Sequence, residues 1–465
     1  MFTPDTYKKR RNELRKMLPD GIILFPGNAE VPFNYPANTY SYRQDSSFLY
    51  YFGLQEPNLA AVIDVDDGSE CLFGDDSTMD DIIWMGQQPV MSDKAAAIAV
   101  NRTQPYSSLA DVLQKAQRQG RTVHFLPPYR AETKIQLWEM LGIPPAEQKE
   151  KASVALIRAV VKMRMSKEPQ EIEQIETAIE TCYRMHTYVM EHARAGMVES
   201  ELSGAIEGIA LQGGGTVSFP VILSVNGQTL HNHYHGNTLY DGQLLLIDAG
   251  AETAMGYTGD ITRTVPVSGR FDARQKAIYN IVLQANLKGI AMSRAGIPYR
   301  DVHLAASRVI ADGLKDAGIM RGNMDDAVAQ GAHTLFFPHG LGHAMGLDAH
   351  DMEGLGEKYV GYDDTFSQSA EFGLSSLRFG RRLEPGFVIT VEPGIYFIPA
   401  LIDQWEAEKK LAQFINYDVL KDYRNFGGVR IEDNILITGD GCRVLGRPIP
   451  KTVEEIEGRS FAANP

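Results

Sequence analysis

The chain has 465 residues, long enough for two or three domains and for a core that needs no disulfide staples. Hydrophobic residues make up 44% and charged residues 22%, which excludes a disordered or fibrous chain. Against 45 Lys and Arg stand 59 Asp and Glu, a formal net charge of −14 that disfavours nonspecific attraction to nucleic acid or anionic lipid and leaves carboxylates free to hold cations.

In chain order, residues 6–17 carry a charged helical pattern and residues 21–25 a strand-like apolar run. Residues 60–65 and 70–73 bracket Asp66-Asp67-Gly68, a turn signal between two strands. A smaller α/β domain over 1–160 is the economical reading, followed by a larger one over 161–465. Ser166 and Pro169 are start signals for a long helix, with Ile172, Ile175, Ile179 and Cys182 on one face. A second helix is expected from Asp272, with Gln275 completing a capping box and a stripe of Ile278, Ile281, Val282 and Ala285. A third covers residues 299–314.

The strand candidates are 243–248, 259–265, 387–392 and 429–436, the first two joined as a hairpin. The second domain therefore reads as α+β, with helices on a largely antiparallel sheet. Residues 353–384 and 400–427 read as insertions, with helical composition over 403–414. Cys71, Cys182 and Cys442 form neither a zinc spacing nor a disulfide framework, as expected in a reducing compartment. No run reaches the roughly 18 apolar residues of a membrane helix, and no secretory pattern follows the basic N-terminal stretch. The expectation is a cytoplasmic protein that engages neither membrane nor nucleic acid.

The chemistry is carried by acids at strand ends. Asp248 closes the run Leu244-Leu245-Leu246-Ile247, Asp260 opens Ile261-Thr262-Arg263-Thr264, and Glu392 and Glu432 end Val388–Val391 and Val429-Arg430-Ile431. A buried charge is costly unless something pairs with it. An ion pair or a cap explains any one of these acids, but all of them in one context point to a shared partner. Of 11 histidines, five fall in His231-Asn232-His233-Tyr234-His235 and His339-Gly340-Leu341-Gly342-His343, and His350 follows. Gly340 and Gly342 argue against a helix there, and no Glu follows His339 as in helical zinc proteases. The glycines suit a loop that approaches a ligand closely. Carboxylates with one imidazole suit manganese, or cobalt or zinc, better than a thiolate-type structural zinc. Two ions held ~3.5–4 Å apart can share and activate a water, which makes hydrolysis the natural reaction class.

The strings Ile247-Asp248-Ala249-Gly250, Gly259-Asp260-Ile261-Thr262-Arg263, His339-Gly340-Leu341-Gly342-His343, Val391-Glu392-Pro393-Gly394 and Val429-Arg430-Ile431-Glu432-Asp433 resemble, in the same order, aminopeptidase P and prolidase. These are the proline-specific pita-bread metallopeptidases, of creatinase/aminopeptidase fold. Residues 42–48, with Gly53-Leu54 and Glu56-Pro57, look like their N-terminal module. Ile83-Trp84-Met85-Gly86 resembles the stretch that contributes an aromatic to a neighbouring subunit's active site.

The resemblance implies two divalent ions, manganese first, with cobalt or zinc as alternatives, and a homodimer or homotetramer. Asp248 would chelate one ion, Asp260 and Glu432 would bridge both, and His343 and Glu392 would complete the set. A hydroxide between the ions would attack the carbonyl before proline. Glu392 would serve as general base, His350 would stabilise the developing oxyanion, His339 would line the proline side, and Tyr396 and Arg430 would orient ligands. Trp84 would contact substrate unless it is an ordinary core or interface aromatic. His231 and His233 both remain candidates for the substrate-binding histidine, and His235 reads as a loop hydrogen-bonder. The interval from Asp248 to Asp260 is one position longer than the family's, so a bulged or longer connection is expected.

A proline nitrogen is tertiary in the peptide bond and its ring fixes φ, so a specialised pocket is needed. The expected activity is release of the N-terminal residue from peptides with proline second. The Trp84 segment, and the lack of an evident extra basic clamp for a C-terminal carboxylate, favour this over prolidase, which shares all five ligands. Retention of those ligands argues against the metal-free creatinase type. A noncatalytic pita-bread binding protein is expected to lose ligands or to carry a basic surface.

Overall fold

The computed structural model describes residues 1–461. The chain separates into two compact units, Met1–Arg164 with Met352–Tyr359, and Met165–Asp351 with Val360–Pro465.

In the first unit a five-stranded mixed sheet runs in the order Thr103–Gln104, Glu70–Phe73, Ala60–Asp64, Ile22–Pro26, Val123–His124. Its central hairpin pairs Ala60 with Phe73 around the predicted turn. The helix Pro4–Lys16 packs its buried Tyr7, Arg10, Arg11 and Leu14 inward, and Arg11 is fully covered because its guanidinium reaches Glu70 and the carbonyls of Tyr51 and Ile98. The short helix Met79–Met85 is different. Thr78 and Asp81 cap it reciprocally, yet none of its residues is buried.

The second unit is the expected α+β arrangement. Leu244–Asp248 pairs antiparallel with Thr262–Pro266, setting Asp248 opposite Thr262, and Ile222–Ser224 joins the other edge. The connection over 249–261 is long and only loosely paired, with one bridge between Glu252 and Thr258. Val388–Val391 pairs with Asp433–Ile437, and Gly394–Tyr396 with Gly428–Arg430.

The strand expected over 429–436 is thus two strands. The break at Ile431-Glu432 faces the break at Glu392-Pro393, and Pro393, which has no N–H, cannot donate to the ladder there. Both glutamates sit at this interruption.

The helices Ala273–Met292, with its Asp272–Gln275 capping box, and Tyr299–Asp316 start where the sequence places them. Two expectations need correction. The long helix is Pro169–His192, opened by Glu168, whose N–H donates to Glu171 at 2.9 Å, while Ser166 pairs with Phe387 in a bridge instead. The helix read over 403–414 is Pro399–Ala407: Pro399 fixes its start, and left-handed backbone at Lys409 and Leu411 turns the chain after it. Among the described residues no helix is long and apolar enough to cross a membrane.

Candidate metal centre

Asp260, His343 and Glu432 are buried, and one ligating atom of each lies within 4.8 Å of the others. His343 Nε2 is 3.5 Å from Asp260 Oδ2 and 3.5 Å from Glu392 Oε1. The charge of Asp248 reaches Asp260, Glu392 and Glu432. The structure therefore gathers Asp260, His343, Glu392 and Glu432 from distant stretches of chain, with Asp248 near enough for its charge to bear on them.

Each is held from behind. The Asp260 backbone is pinned by reciprocal bonds with Asn434, at 3.1 Å to its N–H and 2.6 Å to its carbonyl. Thr262 Oγ1 donates to Glu432 Oε2 at 2.7 Å and accepts from Arg430 Nε at 3.1 Å. His343 exchanges bonds with Thr390, one strand residue from Val391, and its Nδ1 meets the Ala344 carbonyl at 3.1 Å. A carbonyl only accepts, so Nδ1 carries the proton and Nε2 turns a lone pair toward the carboxylates. Burial holds this imidazole well below its usual pKa, hence neutral.

The glycines of the 339–343 loop let it approach neighbouring backbone closely. A Cβ on Gly342 would lie 2.1 Å from the Thr390 carbonyl oxygen, and one on Gly340 would lie 2.7 Å from Leu377 Cα.

The acids resist ionising together. Burial first, then Asp248 and Glu392, push Asp260 well above the carboxylate range. Burial first, then Asp260, Glu392 and Asp248, do the same to Glu432. Glu392 keeps 17% of its side chain exposed, and burial with Asp248 outweighs the Arg430 charge to push it up to about 8. Asp248 Oδ2 accepts from Arg430 Nη2 at 2.6 Å, while its Oδ1 is buried without a hydrogen-bond partner. Crowded carboxylates, an inward imidazole lone pair and an orphan oxygen fit a hard divalent cation.

Around them, Tyr396 is fully buried and its hydroxyl joins His339 Nε2 and Arg430 Nη1, each at 2.8 Å. Arginine only donates, so the hydroxyl donates onward to His339, whose Nδ1 donates to the Gly340 carbonyl at 2.8 Å. Burial and then Arg430 hold His339 down at about 3. The His350 ring lies 4.0 Å from that of His343. His231 and His233 are both exposed on one loop, where His231 feels Arg430, Asp248 and His350, and His235 Nε2 bonds the Val221 carbonyl at 3.1 Å. Trp84 belongs to the other unit and is 78% exposed.

Sequence reasoning missed Arg378. Its charge reaches His231, His339, His343 and Glu392. Arg378 lies within the stretch read as an insertion, in the basic run Arg378-Phe379-Gly380-Arg381-Arg382, which was the available signal. Thr262 was inside a quoted motif, but its hydroxyl's partner lies 170 residues away.

The family model for the aminopeptidase P N-terminal domain matches residues 7–124, and that for metallopeptidase family M24 matches residues 173–439. The chain belongs to metallopeptidase family M24. This M24 peptidase is 32% identical over 444 residues to human Xaa-Pro dipeptidase, covering 94% of this chain and 88% of that protein. It is 33% identical over 430 residues to a probable Xaa-Pro aminopeptidase of Aspergillus clavatus, covering 90% and 88%. Aminopeptidase P of Escherichia coli, solved in complex with substrate, superposes with a TM-score of 0.81 at 30% identity over 100% of this chain and 99% of that one. The protein is thus a pita-bread metallopeptidase of the Xaa-Pro aminopeptidase and prolidase type, a family that implies divalent metal ions.

Proposed function

We propose that this M24 metallopeptidase is an Xaa-Pro aminopeptidase that releases the first residue from peptides with proline second. Asp248, Asp260, His343, Glu392 and Glu432 hold two divalent ions, manganese in the first place. Convergence of four carboxylates and one neutral imidazole, with one carboxylate oxygen left unpartnered, carries the reading. When bound, the ions supply Lewis acidity at the scissile carbonyl. Glu392, the most solvent-facing of the acids, takes the proton from the attacking water. His350 donates to the oxygen that becomes negative, and His231 rather than His233 contacts the substrate backbone. His339, fixed by Tyr396, lines the proline side, and Arg430 aligns Asp248.

Met79, Ile83, Trp84 and Met85 are each at least 70% exposed on one short helix, an apolar surface that supports a homodimer or homotetramer in which Trp84 reaches a neighbouring subunit's substrate. Three free cysteines support a reducing, cytoplasmic setting. A noncatalytic binding role has no support, since every ligand type is retained.

Arg378 favours a second reading, an Xaa-Pro dipeptidase, because a cation beside the site suits the carboxylate of a two-residue substrate. The Mn²⁺-loaded protein, offered an Xaa-Pro dipeptide and an Xaa-Pro-Pro tripeptide, separates the two. Free amino acid from the tripeptide supports the aminopeptidase, and cleavage of the dipeptide alone selects the dipeptidase.

A further inference from the structure

Glu392 and Glu432 lie where two antiparallel strands both lose their regular pairing, so the ladder itself does not fix their spacing. One long backbone bond still crosses there, from the Ile431 N–H to the Pro393 carbonyl at 3.3 Å, and Asn286 reinforces it. This asparagine is fully buried in the helix Ala273–Met292, and its Nδ2 donates to the Val391 carbonyl at 2.9 Å and to the Ile431 carbonyl at 3.4 Å. These are the residues immediately before the two glutamates. A primary amide has two N–H groups in a fixed fork, one for each carbonyl.

The other end of the amide is held as firmly. Asn286 Oδ1 accepts from Lys451 Nζ at 2.9 Å, and the same ammonium donates to Asp433 Oδ2 at 2.6 Å. Arg263, fully buried, takes the second oxygen of Asp433 at 2.8 Å and the Glu432 carbonyl at 2.6 Å. Lys451 is carried there by the C-terminal stretch: Arg263 donates to the carbonyls of Ile449 and Pro450 at 3.0 and 2.9 Å, and Tyr279 to that of Lys451 at 2.8 Å. Charged donors polarise a buried network and stiffen it.

We propose that Asn286 and Lys451 are positioning residues of the metal centre, setting the spacing of Glu392 and Glu432 through the carbonyls of Val391 and Ile431 and so coupling the C-terminal segment to metal affinity. This rests on the ligand assignment proposed above. Ligating side chains must be held to within roughly half an ångström, which requires a supporting layer of this kind.

The test uses Asn286→Asp, which keeps shape but turns a donor into an acceptor facing two carbonyls, and Lys451→Met, which removes the ammonium at a position with 19% of its side chain exposed. Mn²⁺ is titrated into each metal-free protein, and the visible spectrum of the Co²⁺-loaded form is recorded. Asn286→Asp should lose roughly ten- to a hundredfold in metal affinity. Lys451→Met should shift in the same direction, Lys451→Arg should recover part of the loss, both first variants should change the Co²⁺ spectrum, and kcat should fall with KM unchanged. If Asn286→Asp does not fold, Lys451→Met decides alone. Wild-type Mn²⁺ affinity and Co²⁺ spectrum in the folded variants would overturn the inference. Wild-type protein that takes up no metal would overturn the ligand assignment and this inference with it.

Discussion

Arg430 Nη2 sits 2.6 Å from Asp248 Oδ2, and the opposite oxygen of that carboxylate is buried with no partner. A guanidinium fork meets three groups at once here, Asp248, Thr262 and Tyr396. Lysine keeps the charge but not the fork. Arg430→Lys should therefore lower metal affinity or turnover by roughly ten- to a hundredfold without unfolding the protein, read by Mn²⁺ titration beside steady-state kinetics. Unchanged values in both would remove Arg430 from the alignment of Asp248.

The His350 ring lies tilted against that of His343, with centroids 4.0 Å apart. Its loop is anchored by the buried Lys167–Asp351 ion pair at 2.9 Å and by the Asp351 N–H on the Ala344 carbonyl at 2.8 Å. His350→Ala should lower kcat by roughly a hundredfold or more while metal content stays near wild type. Parallel loss of metal and turnover would make it a ligand-layer residue instead.

The acid cluster predicts an inverted pH dependence for the metal-free protein. Burial first, and then Asp248, raise Glu392 from 4.5 to about 8, and Asp260 and Glu432 shift the same way. The folded state then holds protons that the unfolded chain releases. That contribution is complete below about pH 4.5 and is lost as pH rises through about 8. Buried His186, His303 and His339, held down near 3, act in the opposite sense, but only below about pH 6.5. Metal-free protein should thus melt lower at about pH 8.5 than at about pH 7, and Mn²⁺ should flatten or reverse the trend, because cations replace the protons. Higher melting of the metal-free form at the more alkaline pH would contradict the cluster's electrostatics.

Trp84 exposes 78% of its surface on a helix that buries nothing. Trp84→Ala should raise KM for peptide several-fold and weaken self-association, measured by kinetics together with analytical ultracentrifugation. Full activity in a dilute monomer would remove the shared-site idea.

Much of this site was legible in the chain because a carboxylate closing an apolar strand is a conflict that sequence displays. Asp248, after four aliphatic residues, and Glu392, after Val388–Val391, announce themselves. What stayed hidden is what only folding brings together. Asn286 reads as one polar residue on a helix, and nothing nearby in sequence says that it meets carbonyls 105 and 145 positions away. Arg378 was masked by a stretch that reads as insertion. The split of residues 429–436 was also hidden, since the aliphatic pattern runs across it, and its cause, Pro393, lies on the partner strand. Ser166 and residues 403–414 misled for a local reason: cap and helix-favouring residues mark where a helix can start or run, and tertiary pairing at Phe387 or backbone turned at Lys409 decides otherwise.

Counting bound Mn²⁺ on metal-stripped protein tests most directly the proposed gathering of two cations by five side chains. Wild type should bind two ions per chain, and Asp260→Ala or Glu432→Ala should lose one or both together with peptide hydrolysis. Wild type that binds none, or either variant that binds and turns over like wild type, would contradict it.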